Sequence, residues 1–319
     1  MLLFKGGNGY MNNKIFMEKL NKLKTIAHRL GYSMTNYPEN SIEVLETIFN
    51  DENLLASCNG FEFDICFTKD NVPVVIHDKY IDDISDNTGL VKSYTLDELK
   101  NMDFGFRKSK VNNNDDFKFK IVTLDEILNF FSANRNLLGN KIIKVETKEP
   151  FTFEKKQLLV LADILNKYNN LNSNIVHLSY WPQNLRALKL IQKEKNYNII
   201  KTDLLCDYNI IVDLSKHMKF LDYISLRIKP GYLTNNRKTK STFVNIKVYV
   251  DNFFMNLSDA AKEKTMKYAI DKFGSVGLYV FNNENQINEL SKIISDEFFE
   301  ENYNKIFFTT DNPNNFKKR

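Results

Sequence analysis

The sequence predicts an α/β fold of the (β/α)8 or TIM-barrel class, a parallel sheet of eight strands closed on itself, with an excursion after strand two. Three observations carry that expectation. Eight short and mostly apolar runs, without clean alternation, recur along the 319 residues, as strands buried on both faces do. Segments of helical period lie between most of them. The runs end in polar and titratable residues, where a barrel keeps its functional side chains. An open doubly wound sheet is the competing fold. It loses support because the first run leads straight into His28-Arg29-Leu30-Gly31, with neither a GxGxxG fingerprint nor a P-loop pattern.

In chain order, residues 25–27 form the first strand and 41–49 a helix, with Asn40 or Ser41 placed to cap it. Residues 60–67 form the second strand. Thr68 to Pro73 reads as a tight turn with Asp70-Asn71 as a two-residue loop, and the chain returns along Val74 to His77. That loop sets His77 opposite Asp64. Residues 79–140 are the excursion between strands two and three, with helical pieces at 95–102 and 123–131. Its Phe104, Phe106, Phe117 and Phe119 pack on the barrel or meet a bound ligand.

The remaining strands are 141–145, 174–178, 197–200, 223–228, 277–281 and 305–308. Helices are expected at 153–168, 181–193, 258–273 and 285–299, with Ser258-Asp259 a start signal for the third of these. Residues 231–257 form an insertion. No repeat and no Pro/Gly/Ser linker divides the chain, so one domain is expected over residues 1–319.

Composition narrows the function. Lys and Arg number 44 against 40 Asp and Glu, a net charge of +4, and the signs are interspersed; no basic block marks a nucleic-acid or anionic-membrane surface. Cys58, Cys66 and Cys206 cannot all pair and lack zinc-site spacing, so a reducing compartment is expected. No apolar run reaches the roughly 18 residues of a membrane span, and residues 1–24 carry no targeting pattern. The expectation is a cytoplasmic protein without stable membrane insertion.

Glu62-Phe63-Asp64 sends two carboxylates from one face of a strand. Side by side they repel and cost desolvation unless a positive group lies between them, and a divalent cation is the economical solution. Glu146 and Lys148 alternate in the same way at the end of the third strand; Glu146 is either a third ligand or the salt-bridge partner of Lys148. Three carboxylates suit Mg²⁺ or Ca²⁺ better than a thiophilic metal. His28 and His77, each beside a charged residue at a strand end, are candidates for proton transfer, a satisfied structural histidine being the alternative.

These motifs together resemble the glycerophosphodiester phosphodiesterase family: Ile26-Ala27-His28-Arg29, Pro38-Glu39-Asn40-Ser41, Phe61-Glu62-Phe63-Asp64, Thr68 to Asp78, and Val145-Glu146-Thr147-Lys148, in that order. Weaker echoes follow at Val176 to Tyr180, Leu278 to Asn282 and Thr310-Asp311-Asn312-Pro313. The resemblance implies a phosphoric diester hydrolase that cleaves a small-molecule glycerophosphodiester, or a glycerophosphate polymer, to glycerol 3-phosphate and an alcohol. It implies His28 and His77 as general acid and base, Glu62, Asp64 and Glu146 as ligands of a divalent cation, and Arg29 on the phosphate. Lys148 orients the phosphate or balances Glu146, and Tyr279 lines the pocket. A lysophospholipase D-like enzyme and a non-catalytic binding module are the alternatives. Leu30 stands where the family has Gly, and Tyr279 where it has Trp.

Overall fold

The computed structural model describes residues 22–105, 118–148, 155–207, 223–227, 259–280, 282, 290 and 294–316. The expected insertion at 231–257 lies outside them, as do Phe106 and Phe117. Ten strands are present among the described residues: β1 (Lys24–Ala27), β2 (Gly60–Phe67), β3 (Pro73–Val75), β4 (Val122–Thr123), β5 (Ile142–Thr147), β6 (Ile175–Ser179), β7 (Lys201–Asp207), β8 (Tyr223–Arg227), β9 (Val276–Tyr279) and β10 (Ile306–Thr310). Eight of them pair in parallel in the cycle β1, β2, β5, β6, β7, β8, β9, β10, and β10 pairs back to β1. The barrel therefore closes and keeps no free edge. β3 and β4 extend it as antiparallel additions to the long end of β2.

Closure is tightest where β1, β2 and β5 meet. A Cβ on Gly60 would sit 2.5 Å from the Ile142 carbonyl oxygen and 2.7 Å from Ile26 Cδ1, so glycine is required there. One face of the helix Ile42–Phe49 and one face of the helix Leu124–Ala133 cover this part of the barrel. Phe61 is fully buried against Phe49 and Phe131, with ring centroids 5.7 and 5.4 Å apart. Thr123 starts the second of these helices with a capping box, accepting from the Glu126 N–H while the Glu126 carboxylate takes the Thr123 N–H. Thr95 does the same for Leu96–Lys100. Cys66, Val74, Ile76, Leu99 and Ile121 belong to a second buried cluster.

Three local expectations need correction. The fifth run is expected at 197–200, but the strand there, β7, begins at Lys201: Asn196 turns the chain with φ +55° and the Tyr197 N–H donates to the Gln192 carbonyl, so those residues still belong to the exit from the helix Pro182–Glu194. Polar Lys201, Thr202 and Asp203 disguised the strand. Neither Asn40 nor Ser41 makes a side-chain cap for Ile42–Phe49. The hairpin after β2 has a three-residue loop: Asn71 takes φ +65° and the Thr68 N–H donates to the Val72 carbonyl at 3.0 Å. A left-handed third residue is a common hairpin solution. It shifts the register by one, so Asp64 faces Ile76, whose N–H it accepts at 2.9 Å, and His77 lies just past the ladder.

His177 on β6 is 1% exposed, with Nε2 3.0 Å from Thr147 Oγ1, and burial pulls its pKa down to about 3 from the ordinary 6.5. The unfolded chain takes up this proton first, so stability is lost as pH falls from 6.5 toward 3, at about 1.4 kcal/mol per pH unit. Urea unfolding across that range should show this slope in the wild type and its reduction by one proton's worth in His177→Asn. In the same assay Phe61→Ala should cost about 3–5 kcal/mol.

Candidate active site

The end of β1 curls sharply over the barrel mouth. Arg29, Leu30 and Gly31 take φ values of +47°, +66° and +88° in succession. For Leu30 the left-handed region costs about 1–2 kcal/mol, and full burial of its side chain in the main core offsets that cost. The turn holds His28 inside the mouth and aims the Arg29 N–H at Glu62 Oε2, 3.3 Å away.

Beneath it lies a ring of acids. Parallel pairing of β2 with β5 sets Asp64 beside Glu146 and Glu62 beside Lys144. Glu62, Asp64 and Glu146 are all 0% exposed, and one oxygen from each lies within 4.8 Å of the others. Lys148 bridges two of them, its Nζ 2.7 Å from Asp64 Oδ1 and 2.8 Å from Glu146 Oε1. The Tyr279 hydroxyl donates to Glu146 Oε2 at 3.3 Å, and its ring stands edge-on to His28 at 5.6 Å. Lower in the barrel, Lys144 pairs with Asp203 at 2.7 Å.

Three acids against one bridging lysine leave the ring short of positive charge. Burial, then Asp64 and Glu62, push Glu146 up to about 8; burial and Asp64 push Glu62 up as well. Asp64 is also buried, yet Lys148 and the two histidines hold it below the usual carboxylate range. Glu62 Oε1 and Asp64 Oδ2 are buried without a hydrogen-bond partner among the described residues. Three clustered carboxylates with unpartnered buried oxygens, and no sulfur donor among them, fit a hard divalent cation.

Two imidazoles face this ring, each backed by a carboxylate on Nδ1. His28 Nδ1 is 2.6 Å from Asp311 Oδ1, and its Nε2 is 3.8 Å from Glu62 Oε2. Asn282 fixes Asp311: its amide donates to Asp311 Oδ2, and its Oδ1 accepts from the Asp311 N–H at 2.9 Å. His77 Nδ1 is 2.8 Å from Asp78 Oδ1. Burial alone would lower His28, but Asp311, Glu62 and Asp64 raise it overall. Burial lowers His77, and Lys148 and Arg29 reinforce that against the pull of Asp64.

The mouth thus brings together His28, Arg29, Glu62, Asp64, Glu146, Lys148 and Tyr279, with His77 reaching the field of Asp64 from the hairpin. Arg29 differs from its expected part in one respect. Its Nη1 donates to both Glu39 oxygens, at 2.8 and 2.6 Å, so the guanidinium is already engaged. Asp311 and Asn282 were legible in sequence as polar ends of the last two strands, but their bearing on His28 was not, since 283 residues separate Asp311 from it.

The family model described as "Glycerophosphoryl diester phosphodiesterase family" matches residues 28–209. A glycerophosphodiester phosphodiesterase of Caldanaerobacter subterraneus subsp. tengcongensis is 30% identical over 173 residues, 53% of this chain and 62% of that one. One from Bacillus subtilis (strain 168) is 28% identical over 152 residues, 45% of this chain and 46% of that one. The chain thus spans less than two thirds of the length of these curated relatives. Among solved structures, a glycerophosphodiester phosphodiesterase from Agrobacterium tumefaciens superposes with a TM-score of 0.56 at 16% identity, covering 92% of this chain and 99% of that one. A phosphodiesterase from Oleispira antarctica, solved with the product sn-glycerol-3-phosphate, gives 0.61 at 17% identity, covering 93% and 96%. At these identities the likeness is one of fold.

Removing the bridging ammonium should expose how the ring is balanced. Lys148→Met is expected to lower stability by about 3–5 kcal/mol in metal-free buffer, as when one partner of a buried ion pair is lost. Millimolar Mg²⁺ or Ca²⁺ should recover much of it, read by chemical denaturation with and without the ion.

Proposed function

The chain belongs to the glycerophosphoryl diester phosphodiesterase family, and from that membership we propose that it hydrolyses a glycerophosphodiester to glycerol 3-phosphate and an alcohol. One observation carries the reading: two carboxylate-backed imidazoles accompany a buried ring of three acids, one oxygen of each within 4.8 Å of the others. A phosphodiester is an anion with a poor alkoxide leaving group, so its hydrolysis needs charge neutralisation and a proton donor.

Glu62, Asp64 and Glu146 would hold a divalent cation, Mg²⁺ or Ca²⁺, which supplies Lewis-acid neutralisation of the phosphoryl oxygens when bound. The side chains do the rest. Asp311 and Asp78 hold the two rings by Nδ1, which leaves Nε2 of His28 and of His77 to move protons. One imidazole takes the proton of the attacking hydroxyl and the other gives one to the departing alkoxide. Lys148 adds positive charge at the ring, and Arg29, steadied by Glu39, adds it above. Tyr279 closes the wall beside His28 and excludes water there.

The attacking hydroxyl is the glycerol hydroxyl next to the phosphate. Its oxygen forms the new P–O bond as the P–O bond to the alcohol breaks, giving a cyclic phosphate that water then opens to glycerol 3-phosphate. Holding nucleophile and phosphorus in one molecule removes the entropy cost of bringing them together. The cytoplasmic setting is part of the same proposal; Cys58 and Cys66 stand as buried thiols. Among the described residues no helix is long and apolar enough to cross a membrane.

A panel of glycerophosphodiesters, scored for glycerol 3-phosphate with and without EDTA, tests the reading. EDTA should abolish release and added Mg²⁺ or Ca²⁺ restore it. His28→Ala and His77→Ala should each lower kcat by about 10²–10⁴, and Glu62→Gln should remove the response to metal while circular dichroism stays native. A diester lacking the neighbouring glycerol hydroxyl should be cleaved far more slowly; cleavage at the full rate would overturn the cyclic route.

A further inference from the structure

Beside the catalytic mouth lies a cavity of about 290 Å³ between the Glu39 loop and the layer formed by residues 75–105 and 119–122. Its walls are largely apolar, with Val75, Ile76, Ile84, Phe104, Phe119 and Ile121 among them. Two links join it to the site. Glu39 stands on its wall and holds Arg29 with both carboxylate oxygens. Ile76, also on the wall, immediately precedes His77 in the chain.

We propose that this cavity receives the alcohol side of the diester, and that it selects a neutral, apolar alcohol over a cationic amino alcohol. The inference rests on the phosphodiesterase reading and adds the class of leaving group to it. Volume and charge both argue for that class. An apolar cavity of about 150 Å³ is enough for a benzene ring, so this one accommodates a medium alkyl chain or two ring-sized groups. The acidic residue on the wall, Glu39, is already neutralised by Arg29, and the exposed Lys120 stands at the cavity's rim. An ammonium headgroup would find no free carboxylate on this wall. Tyr32, Phe104 and Phe119 are the feature a quaternary ammonium would favour, which makes choline the deciding competitor.

The test is a series of glycerophosphodiesters with ethyl, butyl, hexyl and octyl alcohols, run beside glycerophosphocholine. In the wild type kcat/KM should rise about two- to fourfold per added methylene until the chain outgrows the cavity, and choline should rank below butyl. Ile84→Trp, which fills the cavity, should flatten the gradient, read as the ratio of kcat/KM between the octyl and ethyl diesters. Phe104→Ala, which enlarges it, should move the optimum to longer chains. Free octanol should raise the Tm of the wild type but not of Ile84→Trp, a readout independent of turnover.

Cleavage of the ethyl diester without any chain-length gradient, a gradient that survives Ile84→Trp, or a preference for choline overturns the cavity assignment and leaves the phosphodiesterase reading standing. If no diester is cleaved yet octanol still stabilises the wild type selectively, the activity falls and the apolar-alcohol site stands. Absence of both removes both.

Discussion

Three fully buried carboxylates on two neighbouring strands set the terms for the rest of this molecule. Like charges out of water are tolerated only where positive charge meets them, and here Lys148 meets two of the three while oxygens of Glu62 and Asp64 stay free. The arrangement depends on the parallel register of β2 with β5, which places Asp64 beside Glu146. That register in turn needs Gly60, where no side chain would fit against Ile142. A backbone constraint at the lower end of a strand therefore fixes the electrostatics at its upper end. The Lys144–Asp203 pair lower in the barrel adds no net charge and leaves the imbalance concentrated at the mouth.

The histidines respond to that imbalance in opposite ways. His28 sits close to Glu62 and is tied to Asp311, so the surrounding negative charge overcomes burial and favours its charged form. At His77 burial outweighs the pull of Asp64, and the positive groups Lys148 and Arg29 act with it. Two identical side chains thus differ through their neighbours alone, as proton transfer in two directions requires. The strained left-handed turn from Arg29 to Gly31 keeps the first of them in place, and the buried Leu30 anchors that turn.

Much of this was legible from local pattern. Glu62-Phe63-Asp64 and Glu146-Thr147-Lys148 alternate as strand residues must, so their shared faces could be read without coordinates. The seventh strand was misplaced because it opens with Lys201-Thr202-Asp203, polar residues that a strand in this position carries only because Asp203 finds Lys144 across the barrel. The hairpin register slipped by one because a left-handed conformation at Asn71 is a choice between two permitted turns, which sequence leaves nearly level.

What the sequence determined by itself was the kind of chemistry: which residues carry charge, which alternate onto one face, and that eight apolar runs separated by helices close into a barrel. Those are properties of neighbours along the chain. The tertiary structure alone decided which group meets which. It gave Arg29 to Glu39, Asp311 to His28 and Asn282 to Asp311, and it opened an apolar cavity beside the mouth. Such pairings follow from the folded path of the chain, which brings together atoms as much as 283 residues apart and leaves no mark in the spacing of the residues themselves.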